Sequence, residues 1–155
     1  MDSFGETIQT QKPIYLGIIG KTESATQNRI YEDVLHPLLS EWTRMPEKMI
    51  VSSEGTSSAL LSIWAERNEV DCQVIEADYR KLGRRAGFLR DARIVKECTH
   101  LLVILGPRSP KNQQLAEREA KKGKTVYTMD SKTYELCELT LSSPSSPWDR
   151  AHDRR

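Results

Sequence analysis

The sequence predicts a three-layer α-β-α sandwich on a mostly parallel, five-stranded sheet, and three observations carry that expectation. Five short runs are rich in branched apolar residues, and most are continuous rather than alternating. Continuity marks strands covered on both faces, as the strands of parallel sheets are. The segments between those runs carry apolar residues at intervals of three and four, the spacing of helices with one buried face. The resulting order, β-α-β-α-β-α-β-α-β, calls for right-handed crossovers with helices on both sides of the sheet.

The first strand is read at Ile14–Ile19. The helix after it spans about Ala25–Thr43, with Ile30, Val34, Leu35, Leu38, Leu39 and Trp42 as its apolar stripe. Pro37 lies inside that stripe; it lacks a backbone donor and should kink or loosen the helix. Met49–Ser52 is the second strand, and a helix over about Ser57–Asn68 turns Leu60, Leu61, Trp64 and Ala65 inward. Cys72–Ala77 is the third strand, followed by a long loop and a helix over about Gly87–Cys98. Leu101–Leu105 is the fourth strand, and the helix after it, Pro110–Lys122, has Ser109 as N-cap, Pro110 at its first position and Gly123 just beyond its end. Thr125–Met129 closes the sheet, and Tyr134–Leu139 is read as a further helical turn or strand. The arrangement is Rossmann-like. Residues 1–12 are expected to be a flexible N-terminus, 13–140 the folded domain, and the polar, proline-broken 141–155 a disordered tail.

Composition narrows the function classes. The chain has 155 residues, enough to bury roughly two-thirds of its unfolded surface without a disulfide or metal. No apolar run reaches the ~18 residues of a membrane-spanning helix, and residues 1–11 lack the layout of a secretory signal. A cytoplasmic protein with no membrane association is the expectation. Cys72, Cys98 and Cys137 are odd in number and widely spaced, so they are read as reduced thiols, neither a disulfide framework nor a zinc site. With 23 basic and 22 acidic side chains there is no global attraction to nucleic acid. Neither a metal nor a cofactor is expected.

Ligands in this fold class bind outside the carboxyl ends of the strands. The first such end reads IIGKT, Ile18–Thr22, but a P-loop would require glycine where Tyr15 stands, so an NTPase is rejected. Gly20 and Lys21 remain as places where a ligand could approach the turn. The second end, Ser52–Ser58 (SSEGTSS), offers Ser53, Glu54, Gly55 and Thr56 before a helix N-terminus, either as an anion cradle or as an ordinary βα loop. The third, Ala77–Val95, sets Arg80, Lys81, Arg84, Arg85 and Arg90 around Gly83 and Gly87, with only Asp78 and Asp91 opposing them. Arginine forks suit phosphate or carboxylate, so the segment is either a solvated basic turn or an anion site, and the concentration of cations near a helix start favours the second. His36, His100 and His152 form no triad, which leaves Glu54, Asp78, Asp91 and Glu117 as candidate acids or bases.

The order of elements and the ADYRKLGRRAGFLRDARIV segment resemble the SLOG superfamily, the Rossmann-like nucleotide-binding domains named for the Smf/DprA and Lonely Guy (LOG) proteins. The likeness is to the YspA-type branch and covers Ile14–Thr128. That branch shows a VSGGARGAD-type loop, a strand ending in AD(W/Y), GxxAGxxRN and a later S-x-G-T loop with a following glutamate. This chain keeps Asp78, Tyr79, Gly83, Ala86, Gly87, Arg90, Ser109 and Glu117, but carries Asp91, Lys111 and Asn112 where the branch has asparagine, glycine and threonine. The resemblance implies a sensor-like domain that binds a nucleotide or nucleotide-derived ligand and forms a homodimer. Phosphate would sit near Gly20, Lys21, Ser53–Thr56 and the start of the helix after Gly87, Arg90 would pair with the anion, Arg84 or Arg85 would support it, and Tyr79 would flank a base or sugar. An alternative is a LOG-like hydrolase of a nucleotide N-glycosidic bond, with Glu117 or Asp91 as the catalytic carboxylate. A third is an interaction protein that has lost its ligand.

Overall fold

The computed structural model describes residues 12–22, 27–107 and 110–139. Its elements are β1 (Tyr15–Ile19), α1 (Gln27–Arg29 continuing through a π-helical Ile30–Leu35 into His36–Trp42), β2 (Lys48–Ser52), α2 (Thr56–Arg67), β3 (Asp71–Ile75), α3 (Tyr79–Leu82), α4 (Arg85–Glu97), β4 (His100–Leu105), α5 (Pro110–Lys121), β5 (Thr125–Asp130) and β6 (Leu136–Leu139). The sheet order is β3-β2-β1-β4-β5-β6. The first five strands are parallel, with Gly17 opposite Ile50 on β2 and Leu101 on β4, and β6 runs antiparallel to β5.

The pleat divides each strand between two cores. Leu16 and Ile18, Met49 and Val51, Leu102 and Ile104 pack with Val34 and Leu38 of α1 and with Leu61 and Trp64 of α2. Ile19, Ile50, Leu101 and Val103 face the other way, against Ile94 and Cys98 of α4 and Ala116 of α5. That two-sided burial is why the strands read as unbroken apolar runs, and it makes the expected three-layer sandwich. Gly17 lets α4 approach the sheet: a Cβ there would stand 2.8 Å from that of Cys98.

Three details differ from the sequence reading. The sheet has six strands, because Leu136–Leu139 adds an antiparallel edge to β5. Antiparallel strands need only a tight turn, and Asp130 builds one: its carboxylate accepts from the backbone N–H groups of Lys132 (2.7 Å) and Thr133 (2.9 Å). Second, the loop after β3 contains α3, with Asp78 as N-cap accepting from the Lys81 N–H at 3.1 Å. Third, α4 starts at Arg85, so Gly87 lies within its first turn rather than ahead of it. Pro37 does disturb α1, as expected. It cannot donate to the preceding turn, and just before it the His36 N–H reaches five residues back to the Tyr31 carbonyl. Residues 1–11 and 140–155, and with them the expectations of a flexible start and a disordered tail, lie outside the described residues.

Candidate functional site

The chain runs outward from β1 to β2 and β3, then crosses back to β4 and β5. The loops leaving β1 and β4 therefore diverge, and a crevice must open between them at the carboxyl ends of the strands. A cleft of about 760 Å³ lies there. Gly20, Lys21 and Thr22 line it from β1, Ser52 and Glu54 from β2, Gly106 and Pro107 from β4, and Ser131 and Lys132 from β5. Tyr79, Arg90 and Asp91 contribute from α3 and α4, and Asn112 from α5.

The close approach of β1 and β4 at the floor depends on Gly20. Its φ is +94°, and a Cβ there would lie 2.4 Å from the Ile104 carbonyl oxygen. The turn after β5 is fixed by Asp130 and tied to β4 by the Ser131 N–H, which donates to the Leu105 carbonyl at 2.9 Å. The same backbone N–H bonds hold the Asp130 carboxyl below its ordinary pKa.

One wall is a network centred on Glu54. Its Oε2 accepts from the Tyr79 hydroxyl at 2.9 Å and from the Arg90 guanidinium. The Arg90 Nε also reaches Asp91 Oδ1 at 3.1 Å. Burial opposes the Arg90 charge, but Asp91 and Glu54 outweigh it and hold the guanidinium above its usual pKa. Burial pushes the Asp91 carboxyl up, more than Arg90 pulls it down. Gly87 leaves room for this network, since a Cβ at that position would stand 3.3 Å from the Tyr79 hydroxyl and 3.7 Å from the Arg90 guanidinium.

Elsewhere in the cleft two hydroxyls stand unpaired. Thr22 and Ser131 are 7% and 3% exposed, and both line the cleft. Neither hydroxyl oxygen has a hydrogen-bond partner among the described residues. An unpaired buried polar group costs about 1–3 kcal/mol; Ser57 Oγ and Gln73 Oε1 are likewise unpaired among the described residues, and Thr22 and Ser131 are the two that line the cleft.

Six of the residues singled out from the sequence meet in this cleft: Gly20, Lys21, Glu54, Tyr79, Arg90 and Asp91. Gly87 sits beside them. The others among the described residues do not line it. The Ser53 N–H bonds the Ile75 carbonyl at 3.2 Å, and Gly55 and Thr56 form the N-cap and first residue of α2. Gly83 ends α3, and Arg84 lines a neighbouring groove. Glu117 is exposed on α5, accepting from Gln113 Nε2 at 2.8 Å, and lines neither cavity. Ser109 lies outside the described residues. Arg90 also differs from the free anion partner that was expected, because two carboxylates already hold its guanidinium, though a guanidinium has further donors to offer.

The sequence reading places Thr22 only at the end of the rejected P-loop, and Ser131 and Lys132 escape it although they directly follow a strand whose carboxyl end the same rule marks as ligand-binding. His100 lies at the opposite end of the sheet, edge-on to Trp42 with ring centroids 5.1 Å apart. Among the described residues no group of three His, Cys, Asp or Glu side chains could hold a metal ion, and no helix is long and apolar enough to cross a membrane. Compared with known proteins, the chain matches no family model, no curated protein and no solved structure.

Proposed function

We propose that the cleft binds a nucleotide or nucleotide-derived ligand, and that the chain is a sensor-like domain of the SLOG type. The observation that carries this reading is the pair of buried, unpartnered hydroxyls, Thr22 and Ser131, in a cleft at the topological switch point. Lys21 and Lys132, which also line the cleft, provide cations for a phosphate, and the Glu54 and Asp91 carboxylates offer acceptors for sugar hydroxyls or base N–H groups. Hydrogen exchange with nucleoside monophosphates, NAD, ADP-ribose and cyclic nucleotides tests it. Protection at 20–22 and 130–133 by one of them is the expected result, and unchanged exchange across a saturating panel overturns the reading. The homodimer that accompanies this reading is tested by sedimentation, where a monomer at high concentration refutes it.

One observation favours a second reading. The Asp91 carboxyl stands in the cleft and burial pushes its pKa up, the direction in which a carboxylic acid moves toward proton donation. On this alternative, hydrolysis of an N-glycosidic bond would run through Asp91, with Glu117 too displaced to take part. Release of free base that is lost in Asp91→Asn and kept in Glu117→Ala supports it; absence of turnover refutes it.

A further inference from the structure

A second cavity, of about 740 Å³, lies between α4 and α5 on the outer face of the sandwich. Its apolar strip is Phe88, Ala92 and Val95, spaced four and three apart and so on one side of α4, with Leu115 from α5. Phe88 is 70% exposed, an aromatic ring left in water at the mouth of a groove. Six cations surround this strip, Arg84, Lys96, Lys111, Arg118, Lys122 and Lys124, against Asp91 and Glu119. Over the whole chain basic and acidic residues number 23 and 22, so the excess is local.

Some of these charges are already engaged. Lys124 donates to the Val95 and Cys98 carbonyls at the end of α4, Lys122 and Arg118 share Glu119, and Asp91 pairs with Arg90. Arg84, Lys96 and Lys111 have no ion-pair partner among the described residues. An apolar strip with a cationic rim complements a helix that carries apolar residues at three- and four-residue spacing and carboxylates on its flanks. A polyanion without apolar groups would use the rim and leave the strip wet.

We propose that the α4–α5 groove docks an acidic amphipathic helix of a partner protein. Asp91 and Asn112 line both this groove and the cleft, so the docked helix would abut the ligand site. The inference does not depend on what the cleft binds.

The test pans a random peptide display library of about 16-residue length on the full chain and measures the winners by fluorescence anisotropy. The expected winners are rich in Asp and Glu with apolar residues at helical spacing. Their affinity should fall at least tenfold in Lys96→Glu/Lys111→Glu and in Phe88→Asp, and should weaken with added salt. All three substituted side chains are exposed, so a melting midpoint close to that of the unmodified chain confirms that each variant folds. Failure to enrich such peptides, or binding indifferent to both variants, overturns the proposal. So does tighter binding by an oligothymidylate that displaces the peptides, or a dimer that Phe88→Asp disperses, since either result gives the groove another occupant.

Discussion

Replacing Gly20 with alanine should damage the floor of the cleft far more than the same change at Gly123. The two glycines share nearly the same positive φ, +94° and +96°. Each alanine therefore incurs a similar conformational penalty of about 1–2 kcal/mol. They differ in surroundings. At Gly123 nothing lies within 4 Å of the added Cβ, whereas at Gly20 it would meet the Ile104 carbonyl oxygen at 2.4 Å. That is roughly 1 Å inside the ~3.3 Å at which carbon and carbonyl oxygen normally meet. Relief requires the ends of β1 and β4 to part, and overpacking of this kind costs about 1–3 kcal/mol more. Gly20→Ala should thus lose roughly 2–5 kcal/mol, a large share of the ~5–15 kcal/mol of a typical domain, while Gly123→Ala loses about 1–2. At roughly 3–5 °C per kcal/mol the midpoints should fall by about 6–25 °C and about 3–10 °C respectively. Urea denaturation with the slope held common measures the difference directly. Variants of equal stability would refute the close approach of β1 to β4 on which the site geometry rests.

Arg90→Ala should cost about 1–3 kcal/mol, below the full penalty for breaking a buried pair because the Glu54 side chain is 44% exposed. Without Arg90 the Asp91 carboxyl rises further, so the loss should be greatest at neutral pH and shrink as pH falls through these raised values, where the folded carboxyl is protonated with or without Arg90; a penalty independent of pH in denaturation curves would contradict the network. His100 is held below its ordinary pKa by burial and by Arg44, against the opposing pull of Glu41. The folded state then binds fewer protons, so stability should be complete above about 6.5 and decline as pH falls through the lowered value. His100→Gln should flatten that decline in a thermal series between pH 7.5 and 5, and an unaltered slope would refute the assignment. Glu117→Ala removes an exposed side chain outside the cleft and should change stability by no more than about 0.5 kcal/mol and leave ligand affinity unchanged; calorimetric titration would expose any larger effect.

The fold was legible because burial on two faces leaves a strong mark. Leu101–Leu105 and Ile14–Ile19 are apolar without interruption, and the stripe through Val34 and Leu38 persists across Pro37. The sixth strand left a weaker trace. At an edge, Leu136–Leu139 is half-buried at its two ends and exposed between them, so no continuous run announces it. The α3 turn was hidden because its four residues are stabilised locally by the Asp78 cap and not by an apolar face. Half of the site was legible for one reason: Glu54, Tyr79 and Arg90 lie in segments flanking strand ends. Their mutual pairing was not legible, because Glu54 and Arg90 are 36 residues apart and meet only when α4 packs over β1 and β2. Thr22 and Ser131 are 109 positions apart, and their unsatisfied hydroxyls are a property of packing that no local pattern encodes.

The central claim is that the cleft is built for a ligand that completes Thr22 and Ser131. The most direct measurement compares the chain with Thr22→Val/Ser131→Ala in a thermal-shift panel of nucleoside monophosphates, NAD, ADP-ribose and cyclic nucleotides. Removing two unpartnered buried hydroxyls relieves an unpaid desolvation cost, so the variant should melt at the same temperature or higher without ligand. The unmodified chain should gain about 2.7 kcal/mol, a shift of several degrees, at a hundredfold excess over Kd of its ligand. The variant should lose most of that shift. A variant that melts well below the unmodified chain, or a ligand-induced shift that survives both substitutions intact, would contradict the account.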